Sequence, residues 1–527
     1  MIKSHFQRIL NKFKIAQGPS PAEIVKTGLL FLALLILISR IPAFNEAFER
    51  DLMIYMTIAD GLLQGRQLYA DLWDIKPPGV YWAYALFAKL FGASPLAIFL
   101  MGLSCAWLTL WFCYLAGRSL AGSLGGLLAA AIWAIISGDL ALQANQPNTE
   151  AFINAGLSGT FALLLDATPS RRCWGRFAAI GLLSLLASLF KQVSLVTTVM
   201  ILATYVILAP WIAKATTDSS SVTIWMQRSR AIIQSIWVGI VIVFGWALVA
   251  GHFQWQGHFA EFKETLVDYG RDYAGNMGTN IWKFLADPLL HLPRMGGSIF
   301  YLWLAWLSIV LVAGYFWKER HWPFGLWLAY CVGAIIAISL PGYFYPHYFQ
   351  LWLPPTAIGV GWLLAKSLTS GPKLVMGLLI VAILPLIGLR LYQYTIPVGQ
   401  VPLYKYGQGH GPEALESQYI GQWINQNIPP ETLVYHWGAE PGIYFWAKRT
   451  PPVGMVVTYP LLMGNPDFIA RHTEKLLQQL KQLHPGLVVA NKSMLIRDHP
   501  VVEWLAAHYK ASSDFPKTER FILLIQR

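Results

Sequence analysis

Charge is scarce in this 527-residue chain. Asp, Glu, Lys and Arg supply 13% of it against 55% hydrophobic residues, and the mean hydropathy is +0.47. Such a composition excludes both a water-soluble globular protein and a disordered one. Cysteine is scarce too. Cys105, Cys113, Cys173 and Cys331 all fall in apolar runs or basic loops, so no disulfide framework is implied. Missing altogether are a Walker loop, a nucleophile elbow and an HExxH helix, which leaves ATP hydrolysis, serine hydrolysis and zinc proteolysis without a visible site. There is no short repeat and no low-complexity tract. Asn491-Lys492-Ser493 fits a glycosylation acceptor, a triplet common by chance.

What the chain has instead is apolar runs of membrane-crossing length. They lie near 27–44, 94–116, 122–138, 151–167, 177–190, 193–213, 232–251, 298–317, 323–341, 346–366 and 374–392, about eleven helices. A further apolar stretch, 79–92, belongs to a span or lies at the interface. Helices satisfy their own backbone hydrogen bonds, so no barrel pattern is needed. Residues 1–26 read as a basic cytoplasmic tail (Lys3, Arg8, Lys12, Lys14, Lys26) before an uncleaved first helix, because no small-residue cleavage site is clear.

Loop charge gives the topology. With the N-terminus inside, the inside loops hold Arg118, then Arg171, Arg172 and Arg176, then Lys214, Arg228 and Arg230, then Lys318, Glu319 and Arg320, then Lys366 and Lys373. Every one is basic, as inside loops tend to be. The net charge of +12 is thereby explained without nucleic acid. Thr216–Ser221 is a polar linker. The outside loops are acidic or mixed: 45–78, Asp139 to Glu150, and 252–297.

After Tyr392 the composition changes. Helical patterns at Pro412–Asn427 and Asp467–Leu483 (opened by Asn465-Pro466-Asp467) alternate with strands at Thr432–Trp437, Gly486–Ala490 and Arg520–Ile525. The chain thus divides into the tail 1–26, a membrane region 27–395 with its first outer loop at 45–78, and a small soluble α/β domain at 396–527 on the outer side.

The loop 45–78 carries Glu49, Asp51, Asp60, Asp71, Asp74 and Lys76, more ionisable groups than a connection needs. Asp51 heads a segment that reads as an interfacial helix, with Leu52, Met56, Ala59 and Leu63 on one face and Tyr55 one turn from the acid. The helix dipole alone would favour such an acid. Lys76 precedes a rigid Pro77-Pro78 corner, where it either snorkels or meets a phosphate. Glu150 opens a span behind Thr149, a possible cap, and a charge there must be paired or wet. His347 and Tyr348, in the run Pro341 to Phe349, are belt residues or phosphate donors. Lys191, between two apolar runs, needs a phosphate or a carboxylate.

These residues resemble a family. Asp51-x-x-x-Tyr55-x-x-Ile58-Ala59, Gly65, Tyr69, Asp71-Leu72-Trp73-Asp74 and Lys76-Pro77-Pro78-Gly79 look like the first outer loop of the GT-C glycosyltransferases. The nearest group is family 39, the protein O-mannosyltransferase-like enzymes, with bacterial aminoarabinose transferases and rhizobial lipopolysaccharide-core transferases among them. Asn148-Thr149-Glu150 resembles their second acidic motif. Tyr345-Pro346-His347-Tyr348 with Pro354-Pro355 resembles a late one, and the likeness covers roughly residues 25–365.

The resemblance implies a GT-C fold and transfer of a sugar from a polyprenyl-phosphate donor to a hydroxyl of an envelope lipid, glycan or protein. Transfer would occur outside the plasma membrane, with inversion. Asp51 would be the general base. Lys76, with His347 and Tyr348, would bind the donor phosphate, and Glu150 would orient a substrate or bind a metal. Glu49, Tyr55, Asp74 and Lys191 would give support. Asp74, Glu150 and His347 are the candidate ligands of a possible divalent metal. In place of the acidic pair of some members, this chain has Glu49-Arg50-Asp51. The competing reading is a transporter, flippase or glycan polymerase. A transporter predicts broken helices or repeats at mid-membrane, and the ionisable residues here gather at one interface instead.

Overall fold

The computed structural model describes residues 20–169, 173–216, 223–290, 298, 305–307, 309–310, 314, 322–369, 373–512 and 515–527. The tail before Ser20, Arg171, Arg172, Lys318, Glu319, Arg320, nearly all of the expected span 298–317 and most of the polar linker lie outside the described residues.

Among the described residues, the helices of ten residues or more that precede the C-terminal region are α1 (Pro21–Arg40), α2 (Arg50–Leu63), α3 (Pro78–Phe91), α4 (Pro95–Ile136), α5 (Thr149–Leu165), α6 (Trp174–Phe190), α7 (Ser194–Thr216), α8 (Ile224–Trp255), α9 (Met277–Leu290), α10 (Trp322–Ser339), α11 (Leu353–Thr369) and α12 (Lys373–Gln393). Among the described residues six helices are long and apolar enough to cross a membrane: α1, α4, α7, α8, α10 and α12. The apolar helices α5 and α6 are shorter. A 3-10 segment, Pro346–Trp352, leads into α11.

Helix α4 covers two of the expected spans without a loop between them. Ala121 and Gly122 leave helical geometry, Gly122 at φ +66, and the chain folds back on itself. The Trp133 indole donates to the Ala106 carbonyl at 2.9 Å, which ties the two arms together. A left-handed residue at the turn is what glycine supplies without steric penalty.

Helix α2 departs from the expectation of an interfacial helix. Leu52, Met56 and Ala59 of the supposed lipid-facing stripe are fully buried, and so are Tyr55 and Ile58 on other faces; of the stripe only Leu63 is exposed. The reason is that packed protein surrounds it: Tyr55 lies against Tyr81 and Tyr84 of α3 at 5.9 and 5.4 Å, and the C-terminal region reaches it from another side. Phe48 stacks on Trp446 at 5.9 Å, and the Thr57 hydroxyl reaches the Pro441 carbonyl at 3.5 Å. Each large apolar side chain buried in this way contributes roughly 1.5–3 kcal/mol.

The C-terminal region begins with α13 (Val401–Asn427), longer than the sequence pattern suggested and broken at Gly407. A four-stranded sheet follows, in the order β1-β2-β4-β3, from Val434–Trp437 (β1), Leu487–Asn491 (β2), Tyr509–Ala511 (β3) and Phe521–Gln526 (β4). β1 and β2 are parallel; the other pairings are antiparallel. The crossover from β1 to β2 runs through α14 (Gly442–Ala447) and α15 (Pro466–Leu483), and α16 (Pro500–His508) precedes β3. Asn465 caps α15 as its sequence predicts.

This region shares its core with the first loop. Trp73 pairs with Met455 in a bridge and packs between Tyr269 and Phe468. Arg66 donates to the Pro451 carbonyl at 2.6 Å. Asn491, of the glycosylation triplet, is buried and hydrogen-bonded to Glu413.

Candidate active site

Glu49 is extended and Arg50 begins α2, so Asp51 falls in the first turn. Its Oδ2 accepts from the Tyr55 hydroxyl at 3.4 Å and lies 4.0 Å from Lys76 Nζ. The Asp51 side chain remains 22% exposed, so the acid is not sealed. Lys76 is fixed from both sides. Pro77 and Pro78 lock the entry into α3, and the Tyr69 hydroxyl holds the Lys76 carbonyl at 2.7 Å. A Cβ on Gly79 would sit 2.6 Å from the Leu189 carbonyl oxygen. Only glycine therefore lets α3 start against the end of α6, which brings Lys76 near Lys191.

Lys191 follows α6 directly. Its Nζ lies 3.1 Å from Glu150 Oε1 and 3.3 Å above the Tyr348 ring. Glu150 is completely buried, and its other oxygen accepts the Thr149 hydroxyl at 2.8 Å. Asn148, not Thr149, caps α5. The Asn148 amide donates to Glu49 at 3.0 Å and its oxygen accepts from Tyr55 at 3.3 Å. His347 Nδ1 is 3.2 Å from Gln143 Oε1 and 3.9 Å from Glu49 Oε1. Three non-glycine residues in left-handed backbone, Tyr69, Gln143 and Phe344, surround this cluster, and such strain persists only where surrounding packing enforces it.

The electrostatics separate the two acids of the first loop. Burial alone would raise Asp51, but Lys76, His347 and Arg50 outweigh it and hold its carboxyl below the ordinary value. Glu49 goes the other way: burial, with Asp51 beside it, pushes it well above the carboxylate range. Lys76, which burial would pull down, is lifted by Asp51 and Asp74. Lys191 is pushed down to about 8 by burial, which Glu150 only partly offsets. Lys191 and His347 lie within electrostatic reach of both Asp51 and Glu150, so acids about a hundred residues apart share one site.

Asp51, Lys76, Glu150, Lys191, His347, Tyr348, Glu49 and Tyr55 thus come together. Asp74 lies within electrostatic reach of Lys76 but is buried, with its carboxylate accepting from the Tyr81 hydroxyl at 2.6 Å. Asp74, Glu150 and His347 do not form a metal-sized group. Among the described residues that spacing occurs at His410, Glu413 and Glu440, where the Arg50 guanidinium already holds both carboxylates.

A second charged cluster lies across the connection 137–148, and sequence reasoning missed it. Lys405 Nζ pairs with Glu46 Oε1 at 3.1 Å, and Asn145 and Gln146 donate to the same oxygen at 2.7 and 2.6 Å. Arg40 donates to the Ser137 carbonyl at 2.6 Å. Gln393 joins Arg390 to Asp139 at 3.0 and 3.2 Å. The available signal was modest: Arg40 and Arg390 end apolar helices at the face expected to be poor in basic residues.

Residues 75–255 match the family described as dolichyl-phosphate-mannose-protein mannosyltransferase. The match includes Lys76, Glu150 and Lys191; Asp51 lies upstream of it. No curated protein matches the chain. Among solved structures, ArnT from Cupriavidus metallidurans bound to undecaprenyl phosphate is similar with a TM-score of 0.55 and 15% identity, over 96% of this chain and 98% of that one. The oligosaccharyltransferase of Archaeoglobus fulgidus, tethered to an acceptor peptide, gives 0.52 and 14%, over 92% and 72%. The oligosaccharyltransferase AglB from Archaeoglobus fulgidus, with an inhibitory peptide and a dolichol-phosphate, gives 0.50 and 13%, over 92% and 72%. The chain has the fold of the GT-C glycosyltransferases, and over residues 75–255 it is similar to the mannosyltransferase family among them.

Proposed function

We propose that this chain is an integral-membrane glycosyltransferase. It moves a sugar from a polyprenyl-phosphate donor to a hydroxyl of a cell-envelope lipid, glycan or protein, with inversion. The observation that carries this reading is a carboxylate, Asp51, partly open to solvent, 4.0 Å from Lys76 and within electrostatic reach of His347 and Lys191.

Inverting transfer needs a base for the acceptor proton and positive charge for the departing phosphate. Asp51 takes the proton as the acceptor oxygen attacks the anomeric carbon. The bond from that carbon to the phosphate oxygen breaks, and polyprenyl phosphate leaves with the added negative charge. Lys76 and Lys191 offset that charge in a partly dry site. Glu150 and the Tyr348 ring hold Lys191, and Gln143 orients His347 toward the same space. Burial, with Asp51 beside it, raises Glu49 while the neighbouring cations lower Asp51, the divergence expected of two neighbouring acids with different roles.

The donor class is supported by the undecaprenyl phosphate bound to ArnT and the dolichol-phosphate bound to the archaeal enzyme. A plasma-membrane location, with the site and residues 396–527 outside, is supported by Arg118, Lys214, Arg228 and Lys366 at the opposite loops. The test is mass spectrometry of lipid-linked sugars and envelope glycans from a deletion strain. The expected result is an accumulated polyprenyl-phosphate sugar with a matching loss from one glycan or lipid. An unchanged profile of both would overturn the reading.

A further inference from the structure

Arg50 is a cation at the first position of α2, where the helix dipole disfavours positive charge by roughly 0.3–1 kcal/mol. Something other than helix formation must account for it. Its guanidinium forks onto Glu440, with Nε at 2.9 Å and Nη2 at 2.6 Å from one carboxylate oxygen, and Nη2 also reaches Glu413 at 3.1 Å. Both acids come from the C-terminal region, nearly 400 residues away in the chain.

Each acid is anchored in turn to the sheet. The Glu440 backbone N–H donates to His436 Nε2 at 3.0 Å, and His436 Nδ1 lies 2.9 Å from the Val489 carbonyl in β2. Burial pushes His436 down to about 4, so the ring is neutral, with its proton on Nδ1. Asn491, the last residue of β2, donates to Glu413 Oε1 at 3.1 Å. An unbroken hydrogen-bonded path therefore runs from the parallel strand pair through Glu440 and Glu413 to Arg50, one residue before Asp51.

We infer that Arg50, clamped by Glu440 and Glu413, is the positioning residue for Asp51, and that the C-terminal α/β region acts in catalysis by holding the first turn of α2. The inference rests on Asp51 being the base. Arg50 does not touch the reacting atoms; it fixes the backbone from which Asp51 projects. A fork onto two carboxylates needs a planar guanidinium, so lysine substitutes for it only in part. His410, exposed and 3.1 Å from both Arg50 and Glu413, closes the outer edge of the clamp.

The test uses the full-length protein in lipid nanodiscs. The donor is the polyprenyl-phosphate sugar recovered from the deletion strain, with that strain's membranes as acceptor. Arg50→Gln, Glu440→Gln and the double variant are compared per folded molecule. Each single variant is expected to lower kcat by about tenfold to a hundredfold, the scale of an ångström-sized misplacement of a catalytic group. The double variant should be no worse than the poorer single one. KM for the donor and binding of undecaprenyl phosphate alone should stay as in the parent, and Arg50→Lys should recover part of kcat. Glu440→Gln serves if Arg50→Gln fails to fold. Parent kcat in both single variants, with Asp51→Asn inactive, overturns the clamp and leaves the transferase reading standing. A loss confined to the amount of folded protein also overturns it. Turnover in Asp51→Asn would instead remove the base on which both depend.

Discussion

Two charged clusters flank the connection between α4 and α5, and they are built to opposite ends. On one side Asp51 and Lys76 stand 4.0 Å apart, both partly exposed. On the other, Lys405 and Glu46 meet at 3.1 Å with side chains 0% and 1% exposed, and neighbouring amides crowd the same carboxylate oxygen. The same stretch of chain serves both. Gln143 and Asn148 turn to the open cluster, and Asp139, Asn145 and Gln146 to the closed one. Ionisable groups at the end of a helical bundle are therefore not functional by virtue of being there. What separates these two pairs is slack: neither side chain of the Lys405–Glu46 pair reaches solvent, while the loose, wet Asp51–Lys76 pair can exchange its partner for a phosphate or a hydroxyl.

The largest expected effect breaks the comparison if it fails. Asp51→Asn should reduce transfer by about 10²- to 10⁴-fold, the usual contribution of a positioned base, with the protein still folded. Glu46→Gln should leave kcat per folded molecule close to the parent. Equal losses of kcat in the two variants, measured with the same donor, would mean that slack does not mark the reacting side.

Next comes stability. Lys405→Met leaves Glu46 buried without its cation, and breaking one half of a buried pair costs about 3–5 kcal/mol. Thermal unfolding in detergent should show a clear drop in Tm. Lys76→Met removes a cation from a pair that water already reaches, so its unfolding temperature should move far less while its rate falls about 10²- to 10³-fold, the scale of one lost transition-state contact. The reverse pattern, an unstable Lys76→Met beside a stable Lys405→Met, would invert the assignment of the two clusters.

The open cluster was legible in the sequence because its members sit in local patterns. Asp51 opens a helix, Lys76 precedes two prolines, and Glu150 opens an apolar run, although the cap expected at Thr149 is Asn148. Apolar run length gave most helices for the same local reason. The two runs 94–116 and 122–138 do part at Ala121–Gly122, although Arg118, expected in a loop between them, is helical. What stayed hidden depends on contacts between distant segments. Lys405 lies ahead of the helix expected at Pro412–Asn427 and has no local pattern that points to Glu46, and Arg50 reads only as an interruption between two acids until Glu413 and Glu440 arrive. The burial of α2 was missed for the same cause. Its apolar stripe is real as a pattern, but packed protein surrounds the helix, α3 at Tyr55 and the C-terminal region at Thr57.

The smallest effect is a pH limb. Lys191 sits in the turn after α6 with its ammonium pushed down to about 8. A lysine lowered in this way is charged below that value and loses its charge as pH rises through it, so its help to the leaving phosphate fades on the alkaline side. The Asp51 carboxyl is held below its ordinary value, so the base remains ionised through neutral pH and contributes only an acidic limb. The rate should therefore be flat around neutrality and fall above about pH 8. Lys191→Arg keeps a charge that does not titrate in this range, so the alkaline limb should disappear even if the absolute rate drops several-fold through lost fit against Glu150 and the Tyr348 ring. A limb near pH 8 that survives in Lys191→Arg would assign it to another group and take Lys191 out of the charge balance at the phosphate. No such limb is expected from Lys405, whose ammonium is sealed against Glu46 and faces no substrate, and Lys405→Arg should leave the profile of the rate unchanged.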